Sequence, residues 1–252
     1  MKNIVLSGCS GRMGRVVTSC IAGRSDCVIT AGFDVKADAT TTFPVFKSPM
    51  EYMQGADALI DFSHPSLVIP VLDYAMKYRV PAVVATTGLG EAQLLKIKEA
   101  SLVVPVFYSA NMSVGVSLVA ELARKAAALL GNSFDIEIIE KHHNQKIDAP
   151  SGTALMLANE INEELKNSKH YVYDRHAVRQ KRESGEIGIH SVRGGTIVGE
   201  HEVLFAGHDE TVSITHAAMS KEIFANGAVN AALFIAGKAP GLYDMKKLVQ
   251  SV

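Results

Sequence analysis

Short apolar runs alternate with segments of helical periodicity throughout the first half of the chain. The runs do not alternate apolar and polar residues, so helices must cover both faces of the sheet that they form. Strands that alternate with helices pair in parallel. The predicted strands cover residues 4–7, 28–33, 58–62, 82–86 and 103–108, and the predicted helices cover residues 12–23, 49–54, 65–78 and 90–99. The pattern predicts an α/β domain built on a doubly wound parallel sheet.

The pattern changes after Ser113. The predicted elements of this second part are a helix to residue 130, a strand over 134–140, a helix over 152–165, strands over 187–192, 197–206 and 210–217, and helices over 221–237 and 242–250. The three consecutive strands indicate an antiparallel meander, and polar residues 167–186 indicate an exposed loop. At about 150 residues per domain, a chain of 252 residues can form two domains. We expect a first domain of residues 1–112 plus 222–252 and a second, α+β domain of residues 113–221.

Composition excludes several classes of protein. The 25 lysine and arginine residues nearly balance 26 acidic residues, which argues against a surface that coats nucleic acid. Three cysteines, Cys9, Cys20 and Cys27, form no CxxC pair and predict reduced thiols in a cytoplasmic protein. Residues 100–120 carry no charge, but Pro105 and Asn111 interrupt them. We interpret this window as a strand, a loop and a helix start, so no membrane partner is expected.

The chain begins with a strand, a glycine-rich turn and a helix. Gly8, Gly11 and Gly14 are spaced as GxxGxxG, which permits a tight turn and leaves N–H groups at the helix start for a pyrophosphate. Asp34 follows the second predicted strand, where an acid binds the ribose hydroxyls of a dinucleotide. The alternative is a glycine turn with an incidental acid. The order of these features favours a Rossmann-like dinucleotide site.

Two further loops follow predicted strands, at residues 85–88 and 109–112. Ligands of open α/β sheets bind beyond the carboxyl ends of the strands, so both loops could reach the nicotinamide side of a cofactor. As sequence alone they are also ordinary turn residues. Their predicted position beyond the carboxyl ends of the strands is what favours a role in cofactor binding.

The segment from Glu140 to Ala154 contains adjacent histidines, His142 and His143, two lysines, and Pro-Ser-Gly-Thr at the start of a helix. A helix N-terminus binds a carboxylate, and cationic groups beside it can bind a second carboxylate or donate a proton. The alternative is a solvated basic loop before a normal N-cap. Because the segment lies where the second domain begins, we interpret it as the site for a small dicarboxylate substrate.

These residues resemble the 4-hydroxy-tetrahydrodipicolinate reductase (dihydrodipicolinate reductase) family of lysine biosynthesis over essentially the whole chain. The segment Glu140 to Ala154 reads ExHHxxKxDxPSGTA and is very specific to that family. Further similar segments are residues 8–14, 61–63, 86–88, 111–116 and 224–228. The resemblance implies NAD(P)H-dependent reduction of 4-hydroxy-tetrahydrodipicolinate to tetrahydrodipicolinate, on the route through diaminopimelate. It also implies a homotetramer joined through the sheets of the second domains.

The resemblance further implies roles for individual residues. His142 would be the catalytic acid/base and Lys146 the proton donor, whereas His143, Gly152 and Thr153 would contact the substrate carboxylates. The cofactor, NADH and/or NADPH, would be bound by Gly8, Cys9, Ser10, Gly11, Arg12, Met13, Asp34, Ala85, Thr86, Thr87, Ser109, Ala110, Asn111 and Met112. Some members have an arginine directly after the ribose acid. Here Val35 follows Asp34, so only Lys36 or Arg12 could compensate a 2′-phosphate.

Other candidates and alternatives remain open at this point. The other histidines are too scattered for a metal site and are interpreted as surface or polar-face residues: His170, His176, His190, His201, His208 and His216. Residues 193–196 fit either a plain hairpin or a substrate-domain loop, and the Cys9 thiol could react with thiol reagents. Alternative functions are another two-domain nicotinamide-dependent dehydrogenase, acting on an amino or sugar acid, and a non-catalytic dinucleotide-sensing regulator.

Overall fold

The computed structural model describes residues 1–36 and 41–251. It divides into two compact units: unit 1 comprises Met1–Val114 and Glu222–Val252, and unit 2 comprises Gly115–Lys221. Residues 37–40 and Val252, which fall in the predicted first domain, lie outside the described residues.

The described residues form twelve β-strands and seven α-helices. The strands are β1 Lys2–Ser7, β2 Cys27–Phe33, β3 Val45–Phe46, β4 Ala58–Asp61, β5 Ala82–Val84, β6 Pro105–Tyr108, β7 Asp135–His142, β8 His170–Val172, β9 Glu186–Arg193, β10 Gly199–Ala206, β11 Thr211–Ala218 and β12 Gly241–Tyr243. The helices are α1 Arg12–Ala22, α2 Pro65–Tyr78, α3 Glu91–Ser101, α4 Val114–Leu130, α5 Gly152–Glu164, α6 Glu222–Ile235 and α7 Met245–Gln250.

Unit 1 contains a seven-stranded sheet in the order β12-β6-β5-β4-β1-β2-β3, and every pair of neighbours is parallel. The chain proceeds outward in one direction from β1 and in the other direction from β4. The carboxyl ends of β1 and β4 therefore lie together at the point where strand order reverses, which is the usual ligand position in open α/β sheets. The predicted doubly wound, Rossmann-like fold is confirmed.

Helices cover both faces of this sheet, as the continuous apolar runs require. Helices α1, α6 and α7 pack on one face with one group of buried strand residues. Helices α2 and α3 pack on the other face, where the largest buried side chain is that of Tyr74. All four residues of β4 are buried. The apolar surface removed from water on both faces is the main source of stability in such a sheet.

Unit 2 contains a five-stranded mixed sheet in the order β11-β10-β7-β9-β8. Strand β7 pairs in parallel with β9 and antiparallel with β10. Helices α4 and α5 pack on one face, against buried residues of β7, β9 and β10. Burial alternates along β7 and β10, as expected for strands with one covered face.

Several sequence predictions were wrong in detail. The three strands after residue 186 do not form a meander, because β7 lies between β9 and β10. The connection between β9 and β10 crosses the end of β7, where Gly194 N–H donates to the carbonyl of His142 (2.9 Å) and Gly195 accepts from Asn144 (3.2 Å). The predicted loop 167–186 contains β8, which pairs with β9. The predicted helix at 49–54 is a 3₁₀ turn, and β12 precedes α7 within 242–250.

No helix of the described residues combines the length and the apolar character needed to span a bilayer. The uncharged window that begins at Ala100 consists, as predicted, of the end of α3, then β6, a loop and the start of α4.

Candidate active site

The glycine turn after β1 is held at the reversal point of the unit 1 sheet. Gly8 has a φ of +77°, and a Cβ atom there would lie 2.6 Å from the carbonyl oxygen of Phe62. A Cβ atom at Gly14 would lie 2.2 Å from the carbonyl oxygen of Gly8. Both positions therefore require glycine, because any side chain would displace backbone. The turn lies close to the start of α1, where unpaired N–H groups suit a pyrophosphate.

Asp34, directly after β2, is tied to this turn. Its carboxylate accepts the N–H groups of Ser10 and Lys36, both at 3.0 Å. The Ser10 hydroxyl donates to the carbonyl of Lys36 at 2.7 Å. The predicted ribose acid is thus held beside the predicted pyrophosphate loop by the backbone, as a dinucleotide site requires.

A cavity of about 300 Å³ lies at the same edge of the sheet. Of the residues predicted to contact the cofactor, the structure brings six to this cavity: Met13, Ala85, Thr86, Thr87, Ala110 and Met112. The cavity also contains Phe62, Ser63 and Phe224, which the sequence prediction did not assign to the site. Ser63 follows the end of β4 by two residues, so position after a strand was a usable signal for it. Ser109 and Asn111 shape the neighbouring loop through a hydrogen bond between the Ser109 hydroxyl and the Asn111 carbonyl (2.7 Å).

Beneath the cavity, Thr86 is fixed by a buried acid. Its hydroxyl donates to Asp61 at 2.6 Å, and both side chains are almost fully buried. Burial raises the pKa of Asp61. The hydrogen of the Thr86 hydroxyl is therefore used in the bond to Asp61. Thr86 lines the cavity but offers no free hydroxyl hydrogen to a ligand.

Cys9 contributes differently from the way its sequence position suggests. Its side chain is 1% exposed and packs in the core of unit 1, where it would contact a Cβ atom at Gly32. Burial also raises the pKa of the Cys9 thiol. Both observations argue against the suggested reaction of Cys9 with thiol reagents, because reaction requires an accessible thiolate. Any contribution of Cys9 to the turn comes from its backbone.

In unit 2, His142 is the last residue of β7 and its side chain lies on the face that carries α5. Nδ1 of His142 lies 2.6 Å from Oε2 of Glu140, and Oε1 of Glu140 accepts the N–H of Ser151 at 3.0 Å. Ser151 is the N-cap of α5 and its hydroxyl accepts the N–H of Ala154. The predicted acid/base and the predicted carboxylate-binding helix N-terminus are therefore joined by one carboxylate.

The other predicted substrate residues lie on the segment between β7 and α5. Lys146 is partly exposed, and its Nζ lies 2.8 Å from Oδ1 of Asp148. His143 is half-buried, and its carbonyl accepts the N–H of Lys146 at 3.1 Å. Gly152 and Thr153 begin α5 and are exposed and half-buried respectively. This places two cationic or protonatable side chains and a helix N-terminus on one short segment.

His201 is the clearest correction among the remaining histidines. It is 5% exposed and lies in register with Glu140, on the covered face of the sheet. Its Nε2 is 2.9 Å from the Ser151 hydroxyl, and its ring meets the His142 ring at 5.2 Å between centroids. Burial lowers the pKa of His201 to about 4, so the ring is neutral at neutral pH. Alternation along β10 separated His201 from Glu200 and Glu202 as predicted, but sequence could not show which face was covered.

Within the described residues, His170, Glu183 and Glu186 bring ligand atoms within 4.8 Å of one another. Glu186 already accepts a hydrogen bond from Arg175. Because this cluster is already paired with an arginine, we assign no metal ion to it.

Comparison with known proteins agrees with this geometry. The family model described as dihydrodipicolinate reductase, N-terminus, matches residues 2–112, and the model described as dihydrodipicolinate reductase, C-terminus, matches residues 115–249. The 4-hydroxy-tetrahydrodipicolinate reductase of Caldanaerobacter subterraneus subsp. tengcongensis is 46% identical over 250 residues, covering 99% of both chains. That of Clostridium novyi is 45% identical and covers 100% of this chain and 99% of its own.

A solved structure of dipicolinate-bound dihydrodipicolinate reductase from Paenisporosarcina sp. TG-14 is also similar. It matches with a TM-score of 0.81 and 25% sequence identity, covering 100% of each chain. Sequence similarity over the full length and the shared fold lead to one conclusion. The chain belongs to the 4-hydroxy-tetrahydrodipicolinate reductase family.

Proposed function

We propose that unit 1 binds the dinucleotide and that unit 2 binds the dicarboxylate substrate and supplies the acid. The chain is an NAD(P)H-dependent oxidoreductase that reduces 4-hydroxy-tetrahydrodipicolinate to tetrahydrodipicolinate in diaminopimelate and lysine biosynthesis, the reaction for which its relatives are named. Full-length similarity to reductases of this name favours this reaction over another two-domain dehydrogenase and over a dinucleotide sensor.

The residues of unit 1 fit NAD(P)H, which supplies the hydride when bound. The observation that supports this best is the cradle at Gly8 and Gly14, where added Cβ atoms would collide with backbone. Residues 8–13 would bind the pyrophosphate and Asp34 the adenosine ribose. The 85–87 and 109–112 loops would bind the nicotinamide part, with Phe62, Ser63 and Phe224 completing the cavity wall.

In unit 2, a dicarboxylate would be oriented by opposite charge and by the helix N-terminus. His143 and the first residues of α5, Gly152 and Thr153, would bind the carboxylates. The 4-hydroxyl must leave as water, which consumes a proton: His142 would exchange a proton with the bound substrate and Lys146 would donate one. The second role requires Lys146 to leave Asp148 when substrate arrives. Fixing the substrate beside these groups replaces an encounter in solution by a preorganised arrangement.

Dipicolinate, which is bound in the similar Paenisporosarcina structure, tests the proposed carboxylate site. We expect it to compete with the substrate and Thr153→Val to weaken its inhibition by about 10-fold or more, because a hydrogen bond to a charged group contributes about 1.5–3 kcal/mol. The matched control is Thr211→Val, since Thr211 is exposed at the start of β11. Its molar mass is checked by light scattering, because Thr211 lies on the face of the sheet that α4 and α5 leave uncovered. Equal inhibition constants for the two variants, measured at saturating NADH, would refute the proposed position of the substrate carboxylate.

We also propose that four chains assemble through the unit 2 sheets. Helices α4 and α5 pack on one face, whereas the opposite face carries Ile139, which lies in register with Glu202 on β10. We expect Ile139→Lys to reduce the molar mass measured by light scattering below that of four chains. Leu129→Lys, at an 86% exposed position on α4, serves as the control. An unchanged mass for Ile139→Lys would refute assembly through this face.

A cytoplasmic location is proposed on the chemistry of the cysteines. All three are free thiols, and two of them are buried. Unpaired cysteines are typical of proteins in reducing compartments.

A further inference from the structure

Glu140 is a fully buried carboxylate to which the proposed mechanism assigns no role. Its Oε2 accepts from Nδ1 of His142 (2.6 Å) and from Nη1 of Arg193 (2.7 Å). Its Oε1 accepts from the N–H of Ser151 (3.0 Å) and from Nη2 of Arg193 (2.7 Å). Each oxygen thus has two donors. A buried carboxylate that is this fully hydrogen-bonded is held both in place and in its ionised form.

An ionised carboxylate only accepts hydrogen bonds. Nδ1 of His142 must therefore carry a hydrogen as long as it faces Glu140, whether the ring is neutral or positively charged. The nitrogen that can gain and lose a proton is then Nε2, at the far side of the ring. The contact selects one tautomer and one orientation for the proposed acid/base.

Arg193 fixes Glu140 from the neighbouring strand. It lies opposite His142 in the parallel β7–β9 register, and its guanidinium donates both Nη atoms to the carboxylate as a bidentate pair. Nη2 also donates to the carbonyl of Asp148 at 2.7 Å, so the same side chain holds the segment before α5. Arg193 is thus placed by strand β9, of which it is the last residue, and the connection to β10 begins after it.

The protonation state of Glu140 agrees with the geometry. Burial alone would raise the pKa of Glu140, but the hydrogen bonds from Arg193, His142 and Ser151 outweigh it and lower the pKa to about 2. The carboxylate therefore stays negative throughout the physiological pH range.

We propose that Glu140, clamped by Arg193, is a positioning residue that holds His142 with Nδ1 protonated and Nε2 free for proton exchange. This proposal rests on the proposed role of His142. Glu140 lies behind the ring and acts through His142.

The charges around His142 determine the expected effect on pH dependence. Arg193 on β9 and Lys146 on the following segment are positive, and His201 on β10 is neutral at neutral pH. Glu140 is the negative charge in contact with the ring. Its removal leaves the positively charged form of His142 beside Arg193 without compensation, which favours the neutral form. The fall in kcat with rising pH, which reflects loss of the proton from the acid, should therefore begin at lower pH than in wild type.

Glu140→Gln tests the proposal because it keeps the shape and removes the charge. Glu137→Gln is a closely matched control on the same strand, provided that light scattering shows the wild-type molar mass, because Glu137 lies on the same face of the sheet as Ile139. Glu137 accepts hydrogen bonds from Arg182 (2.9 Å), Arg175 (2.7 Å) and His190 (2.7 Å), so it also holds arginines and a histidine. In the β7–β9 register, however, it lies opposite Gly188, whereas His142 lies opposite Arg193. Both variants should retain NADH affinity, because unit 1 is unchanged.

We expect Glu140→Gln to lower kcat by about 10-fold or more and to shift the fall in kcat with rising pH to lower pH, with Glu137→Gln close to wild type. In a His142→Gln background, Glu140→Gln should lower kcat by no more than about 2-fold further, because two residues that act as a unit are not additive. If Glu140→Gln does not fold, Arg193→Lys replaces it, with a smaller loss that also disappears in the His142→Gln background.

Two results would overturn the proposal. One is an equal loss in Glu137→Gln, and the other is an undiminished loss when Glu140→Gln is added to His142→Gln. A failure of the proposed function would give a third, different result, because His142→Gln alone would then retain near-normal kcat. That result would remove the role of His142 on which the positioning by Glu140 depends.

Discussion

Asp34 should govern the choice between NADH and NADPH. The backbone N–H groups of Ser10 and Lys36 hold its carboxylate at the end of β2. A 2′-phosphate in this position carries close to two negative charges. Two like unit charges 4 Å apart repel by about 1 kcal/mol in water and by about 4 kcal/mol at an effective dielectric constant of 20. Val35, next in the chain, is 61% exposed and offers no compensating charge.

The perturbation is Asp34→Asn, which removes the charge and keeps the size. Since about 1.4 kcal/mol corresponds to tenfold, the bounds above predict a shift of about 5-fold to several hundred-fold towards NADPH in the ratio of kcat/KM values. The exposed side chains of Lys36 and Arg12 reduce the shift towards the lower bound. For the wild type we expect NADH to be used at least as well as NADPH, with both accepted.

The assay compares kcat/KM for both cofactors in wild type, Asp34→Asn and Asp57→Asn. Asp57 is a matched control because it also accepts a backbone N–H, that of Asn3 at 2.8 Å, and pairs with Lys2, but it precedes β4 at the opposite edge of the sheet. A wild type that strongly prefers NADPH, or an Asp34→Asn ratio equal to that of Asp57→Asn, would show that Asp34 does not determine the cofactor preference.

Three further predictions follow from the site. Lys146→Ala should lower kcat by about 10²- to 10⁴-fold with little change in NADH affinity, since it removes the proposed proton donor of unit 2; near-normal turnover would remove that role. Thr86→Val should cost about 1–3 kcal/mol in the free energy of unfolding, measured in urea, because Asp61 loses a buried partner, and the exposed control Thr87→Val should cost much less. Equal costs would show that the Asp61 contact contributes nothing to stability. Glu140 has a pKa lowered from 4.5 to about 2, so it contributes about 3 kcal/mol to stability above pH 4.5, and this contribution is lost as the pH falls towards 2. Glu140→Gln should therefore show a weaker loss of stability with acid than wild type, and an unchanged acid dependence would contradict the assignment.

The fold of unit 1 could be predicted from sequence because its signals are local. The central strands β4, β5 and β6 are buried almost throughout, as the four buried residues of β4 illustrate, and the turn residues lie within two residues of a strand end. Parallel strands place all these turns at one edge, so Gly8, Asp34 and Thr86 could be grouped without knowledge of distances. Two short edge strands, β3 and β12, were missed because two or three residues carry no periodicity.

The sheet of unit 2 could not be predicted to the same extent because its pairings are non-local. Strand-like runs predicted β7, β9 and β10, but such runs do not specify which strand lies beside which. Glu140 and Arg193 are 53 residues apart and meet because β7 pairs with β9. Glu140 and His201 face each other because β7 also pairs with β10. The proposed acid/base and the proposed substrate helix rest on resemblance, whereas the residues that hold them could not be found from the sequence.

Transfer of deuterium from the cofactor to the product is the decisive test that this chain catalyses the reduction. The preceding synthase would generate the unstable heterocycle from pyruvate and aspartate semialdehyde in the presence of NADH deuterated at both C4 positions. We expect NADH oxidation only when substrate is formed, and a tetrahydrodipicolinate product one mass unit heavier than that made with ordinary NADH. An unlabelled product, or binding of NADH without its oxidation in the presence of substrate, would contradict the assignment of this chain as the reductase.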